Sequence, residues 1–132
     1  MKHVIRIMIV ANDMTDPGEV RRTLDKRGIL YRLNVVNSNE AALQALGSES
    51  HNHPDIMLLD QGSSEMFEFV KTVRDNPLWK DIKIFILTTF EEPIDRQSAA
   101  ELGISGVISK PLKLHSPSTI DAYNLMMDLM NL

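Results

Sequence analysis

The sequence has no cysteine in its 132 residues. This absence excludes disulfides, thiolate metal sites and cysteine nucleophiles, and it is compatible with a reducing compartment. Long apolar runs are also missing, since the first one, residues 4–11, is interrupted by Arg6 and is too short to cross a bilayer. No signal-peptide cleavage region follows this run, and we therefore expect it to be a strand of a cytoplasmic protein.

An excess of positive charge is lacking too. The formal net charge of −4 argues against general nucleic-acid binding and against a polybasic membrane surface. Internal repeats and low-complexity stretches are absent, and the 43% hydrophobic and 24% charged content is ordinary for a globular protein. At this length we expect one domain covering residues 1–132.

What is present is an alternation of apolar strands and amphipathic helices. The predicted strands cover residues 4–10, 31–36, 56–60, 82–88 and 104–109. The predicted helices lie after them, at residues 17–28, 41–46, 91–102 and 117–132, and the third runs from a cap at Ser63 or Ser64 through an apolar stripe within residues 66–73. Five strands alternating with five helices predict an α/β fold with a doubly wound parallel sheet and right-handed crossovers.

Short motifs mark the ends of several helices. Asn37 with Glu40 predicts a capping box for the second helix. Gly28 and Gly103 are expected to end the first and fourth helices, and Asn76-Pro77 to end the third.

The third strand is predicted to be the centre of the sheet. Its four apolar residues, 56–59, indicate burial on both faces, and Asp60 follows them at the carboxyl end. In open α/β sheets the chemistry lies at that end of the strands. Further polar residues lie at the carboxyl ends of the first, fourth and fifth predicted strands, namely Asn12, Asp13, Thr88, Thr89 and Lys110.

With these residues in this order, the chain resembles the receiver domains of bacterial two-component response regulators over essentially its whole length. The resemblance is carried by Leu58-Leu59-Asp60, Ile86-Leu87-Thr88-Thr89, residues 100–106 and Ser109-Lys110-Pro111. Residues 75–82 also resemble the corresponding loop of cyanobacterial phytochrome partners. The resemblance implies a flavodoxin-like, three-layer α/β/α fold with strand order 2-1-3-4-5.

The resemblance also implies roles for the residues at the sheet edge. Asp60 would be the phosphoacceptor, Lys110 its ammonium partner, Thr88 the hydroxyl that shifts toward the phosphoryl group, and Thr89 a further cofactor-binding residue. Mg²⁺ would be held by Asp60, the Gly62 carbonyl and the turn containing Asn12 and Asp13. The donor would be a histidine kinase or phosphotransfer protein, and the output a protein–protein contact. Since receiver activity is limited to its own phosphotransfer and dephosphorylation, we do not expect an enzyme.

Two departures from the family pattern matter. Receivers normally carry two adjacent acids after the first strand, whereas this chain has either Ala11-Asn12 or Asn12-Asp13 there. At least one carboxylate is therefore missing, and Mg²⁺ binding is expected to be weak. Val107 stands where an aromatic switch residue often lies, so aromatic-gated switching is not expected. A degenerate receiver that binds partners without phosphorylation is the main alternative.

Two other classes fit less well. Hydrolases of the aspartyl-phosphate type carry a second acid two residues after the nucleophile, where this chain has Gly62. A flavodoxin-like cofactor carrier needs a hydroxyl- and glycine-rich phosphate loop after the first strand, but residues 12–16 are acidic instead.

The last helix has more apolar surface than a helix covering one sheet face needs. Projected at about 100° per residue, its apolar side chains cover roughly two-thirds of the circumference. One interpretation is a deeply packed terminal helix. The other is a partner or homodimer surface, in which Leu125, Leu129 and Leu132 form an exposed arc opposite Asn124 and Asn131.

Overall fold

In the computed structural model, the described residues are 4–10, 18–48, 53–60, 66–88, 96–109 and 119–131. They contain a five-stranded, all-parallel sheet in the order β2-β1-β3-β4-β5, which confirms the predicted fold. The strands are β1 (Ile5–Val10), β2 (Tyr31–Val36), β3 (Ile56–Asp60), β4 (Lys83–Thr88) and β5 (Gly106–Ser109).

Helices alternate with the strands along the chain. They are α1 (Gly18–Lys26), α2 (Asn39–Ser48), α3 (Met66–Asp75), α4 (Arg96–Glu101) and α5 (Ile120–Asn131), with a 3₁₀ turn at Pro77–Trp79. Within the described ranges, none of the helices has the length and apolar character needed to cross a membrane.

The sheet separates two apolar cores because successive strand residues point to opposite faces. Residues of α1 and α5 pack on one face, against β1 side chains such as Ile7 and Ile9. Residues of α2 and α3 pack on the other face, against Met8 and Val10. Every residue of β3 is buried, as predicted for the centre of the sheet.

Local turn chemistry explains three helix ends. Gly28 and Gly103 both have positive φ angles, 67° and 73°, a conformation that costs glycine little because it has no Cβ. Asn76 follows α3 and accepts a hydrogen bond from the Leu78 N–H at its side-chain oxygen (2.9 Å), which starts the 3₁₀ turn. The predicted ends of α1, α3 and α4 are therefore confirmed.

Two predicted boundaries were wrong. The cap of α2 is Ser38, whose Oγ accepts the Ala41 N–H (3.0 Å), and not the Asn37–Glu40 capping box. The strand β5 begins at Gly106, two residues later than predicted, and the Ser105 N–H before it donates to the Ile84 carbonyl (2.7 Å).

Of the two interpretations of α5, the exposed arc was wrong for the residues that the structure describes, and the deeply packed helix holds for Leu125 and Leu129. Leu125 and Leu129 are 0% and 1% exposed and belong to the core shared with α1 and β1. Leu132 lies outside the described residues. The exposed apolar side chains of α5 are instead Ile120, Tyr123 and Met130.

Candidate functional site

The carboxyl ends of four parallel strands meet at one edge of the sheet. In the ladder, Val10 pairs with Leu59, and Asp60 pairs with Leu87. Asp60 therefore extends one residue beyond β1, and Thr88 extends one residue beyond Asp60. Since neighbouring strands lie about 4.8 Å apart and rise about 3.3 Å per residue, the Cα atoms of Asp60 and Thr88 are separated by about 6 Å.

Asp60 and Thr88 are buried although both are polar. Their exposures are 9% and 6%, and within the described part of the chain Asp60 is the one charged residue classed as buried. Burying a carboxylate is costly unless partners compensate for the lost water, and both residues do take part in polar interactions. A buried acid at this edge therefore indicates a site rather than an ordinary surface carboxylate.

The fifth strand ends beside Thr88, directly before the next predicted residue in the sequence. Ser109 is the register partner of Thr88, and Lys110 follows Ser109 directly in the sequence. The remaining predicted site residues are Asn12, Asp13, Gly62, Thr89 and Lys110, and all five lie outside the described residues.

Two supports of β5 did not emerge from the sequence. The carboxylate of Asp121, on α5, accepts the Val107 N–H at 2.9 Å and so ties the helix to this edge strand. Gly106 lies so close to Phe85 and Asp121 that a Cβ would fall 3.0 Å from Phe85 Cδ2 and 3.1 Å from Asp121 Cβ. The glycine at 106 was visible in the sequence, but the reason for it is a contact between distant segments.

Residues 7–117 match the protein-family model described as the response regulator receiver domain. The match covers well over half of the chain, and it includes Asp60, Thr88 and Lys110. Among proteins with curated functions, none matches this chain.

Solved structures share the fold over nearly the whole chain. A two-component response regulator from Legionella pneumophila is 28% identical, with a TM-score of 0.74 and coverage of 97% of this chain and 99% of that one. The Mn²⁺-bound form of the response regulator Rcp1 is 22% identical, with a TM-score of 0.70 and coverage of 97% and 93%. The phosphorylated cyanobacterial phytochrome response regulator RcpA is 17% identical, with a TM-score of 0.70 and coverage of 96% and 89%. For the last two, the likeness shows the fold alone.

Proposed function

The chain belongs to the response regulator receiver domain family of two-component signalling, and from this we propose that Asp60 accepts a phosphoryl group from a histidine kinase or phosphotransfer protein. The observation that carries the proposal is the burial of Asp60 at the carboxyl end of β3, beside the buried Thr88. We also propose that residues 1–132 act as one receiver domain whose output is a protein–protein contact.

The proposed reaction is a displacement at phosphorus. A carboxylate oxygen of Asp60 forms a bond to the phosphorus of a phosphohistidine, the P–N bond breaks, and its electron pair returns to the imidazole nitrogen of the donor. The hydroxyl of Thr88 then donates a hydrogen bond to a phosphoryl oxygen, and the ammonium of Lys110 offsets its negative charge. These new contacts displace the loops that follow β4 and β5 and create the signal.

The donor set fits a hard divalent cation such as Mg²⁺. A buried carboxylate at Asp60 supplies the kind of oxygen that Mg²⁺ prefers, and Asp13, Asn12 and the Gly62 carbonyl would complete the set from the sequence. The ion would neutralise charge that builds up on the transferring phosphoryl group. Thr89 would lie next to the bound group as a further contact.

Mass spectrometry after incubation with acetyl phosphate and Mg²⁺ tests the phosphoacceptor. We expect the native chain to gain one phosphoryl group and Asp60→Asn to gain none. Asp55→Asn is the matched control, because Asp55 stands just before the same strand at its opposite end, where it accepts the Arg6 main-chain N–H at 3.0 Å. It should be phosphorylated like the native chain. No adduct on the native chain would place it among degenerate receivers that act by binding alone.

The missing acid leads to a separate prediction about the metal. Asn12→Asp restores a carboxylate beside Asp13, and one added charge near the ion is worth on the order of one to a few kcal/mol at an effective dielectric constant near 20. We expect calorimetric titration to show weak Mg²⁺ binding by the native chain and binding at least about tenfold tighter by the variant. Equal affinities would show that Asn12 does not face the ion.

The exposed face of α5 is the surface that we propose for homodimer formation. Projected at about 100° per residue, Ile120, Tyr123 and Met130 lie on the side of the helix away from Leu125 and Leu129. Their exposures are 70%, 49% and 44%. A second copy of the chain could cover this apolar face on both partners at once, as a two-fold interface requires.

A further inference from the structure

A cleft of about 330 Å³ lies on the sheet, away from the phosphoryl-acceptor edge. It is lined by Arg6, Ile7 and Met8 of β1, by Arg32, Leu33 and Asn34 of β2, and by Pro54. Arg6 and Arg32 are register partners in the parallel ladder. Because register partners point to the same face, two guanidinium groups enter one cleft from Cα atoms about 4.8 Å apart.

The cleft exists because α2 covers only part of this face. At about 1.5 Å per residue, α2 is about 15 Å long, whereas the six residues of β2 span about 20 Å. The helix packs through Ala42 and Leu46 on the core that contains Met8 and Val10. On the same face of β2, Arg32 and Asn34 remain exposed.

The two arginines have no counterion in the part of the chain that the structure describes. The side-chain ion pairs among the described residues are Arg22–Glu19 and Lys83–Asp128. Neither Arg6 nor Arg32 has a side-chain interaction with the described residues. The nearby carboxylate of Asp55 is engaged by the Arg6 main-chain N–H. Like charges placed directly opposite in a sheet repel each other, and an anion between the two groups would offset this repulsion.

The rest of the lining indicates which anion fits. Met8 is 4% exposed and Pro54 is buried, so both form an apolar floor beneath the charged groups. Asn34 adds an amide to the lining. The side chains of Ile7 and Leu33 belong to the opposite core, so these residues reach the cleft with main-chain atoms. The volume is at the lower end of small-molecule sites.

We propose that this cleft binds a small organic anion, with its phosphate or carboxylate head held by Arg6 and Arg32 and its apolar body on Met8 and Pro54. Guanidinium groups recognise both kinds of head through paired, charge-assisted hydrogen bonds. The site is independent of phosphorylation, since it lies on the sheet face below the Asp60 edge and shares no residue with it.

Amide NMR titration and calorimetry at constant ionic strength test the proposal, with phenyl phosphate, benzoate and inorganic phosphate as probes and chloride as the blank. We expect shifts at the amides of residues 6–8 and 32–34. Phenyl phosphate should bind about tenfold more tightly than inorganic phosphate, because its ring packs on the apolar floor. The ratio of the affinities for phenyl phosphate and benzoate shows whether the cleft prefers a phosphate or a carboxylate head. The same shifts should persist in Asp60→Asn, which separates this site from the phosphoryl-acceptor site.

Arg32→Gln should weaken binding by about tenfold or more, because one charge-assisted pair is lost. Arg6→Gln should weaken binding to a similar extent, because it removes the other charge-assisted pair. Arg22→Gln is the matched control and should bind like the native chain, since its side chain is 66% exposed and pairs with Glu19 on α1. Three results would each overturn the proposal. They are amide shifts confined to the surroundings of Asp60 and Thr88, equal affinity of Arg32→Gln and the native chain for the probes, and amide shifts with chloride equal to those with the probes.

Discussion

At the scale of single residues, Gly106 shows how a side chain can be excluded by distant segments. It begins β5, and a Cβ there would lie at 3.0–3.1 Å from Phe85 and Asp121 atoms. We expect Gly106→Ala to destabilise the protein by about 1–3 kcal/mol, because β5 or α5 must move to make room. Urea unfolding measures this difference.

Gly47 provides the matched control for that substitution. It lies in α2, and a Cβ at this position would meet nothing within 4 Å. Gly47→Ala should therefore raise the free energy of unfolding, by up to about 0.5–1 kcal/mol, because alanine has the better helix propensity. Two alanine variants with the same effect on stability would contradict the steric explanation for Gly106.

At the scale of secondary-structure elements, Arg74 joins three segments. It lies in the last turn of α3, and its guanidinium donates hydrogen bonds to the carbonyls of Lys80 (3.0 Å), Ile82 (2.7 Å) and Gly103 (2.8 Å). The contacts connect α3 to the segment before β4 and to the turn between α4 and β5. Burial lowers the pKa of Arg74, partly opposed by the charge of Asp81, but a guanidinium stays protonated at neutral pH.

Arg74→Met should destabilise the protein by on the order of 2–3 kcal/mol, since hydrogen bonds to a charged group are the stronger ones and three are lost. Amide hydrogen exchange should also become faster in β5, because the hydrogen bond from Arg74 to Gly103 holds the turn that precedes this strand. Arg22→Met removes the pair with Glu19, in which the arginine side chain is 66% exposed, and should change stability less, by about 1 kcal/mol at most. Unchanged exchange in β5 would show that the turn holds its place without Arg74.

At the scale of the whole molecule, α5 divides its apolar residues between the core and the surface. Leu129 is 1% exposed, so Leu129→Glu buries an unpaired charge and should destabilise the fold by several kcal/mol. Tyr123 is 49% exposed, so Tyr123→Glu should leave the melting temperature nearly unchanged while it disperses any homodimer. Thermal melting and sedimentation velocity separate the two effects. A stable Leu129→Glu variant would refute the assignment of this residue to the core.

Much of the fold could be predicted because its signals are local. Apolar runs of strand length alternate with helical stripes, and this alternation is enough to predict a doubly wound sheet. Gly28 and Gly103 ended their helices as predicted, since a positive φ is a property of one residue and its neighbours. Asp60 at the end of an apolar run was sufficient to predict its position at the carboxyl edge of the sheet, which the structure confirms.

Other features depended on which segments meet in space. Helical periodicity predicted the wide apolar arc of α5, but only packing against β1 and α1 decided that Leu125 and Leu129 are core while Ile120 and Tyr123 are exposed. Arg6 and Arg32 are far apart in the chain, and the register of β1 on β2 brings them together in one cleft. The order of the elements and the acid at the sheet edge could thus be predicted from the amino-acid sequence, because neighbouring residues dictate both. Which helix face is buried and which charges are adjacent became clear only from the folded chain, because these features depend on contacts between residues distant in the sequence.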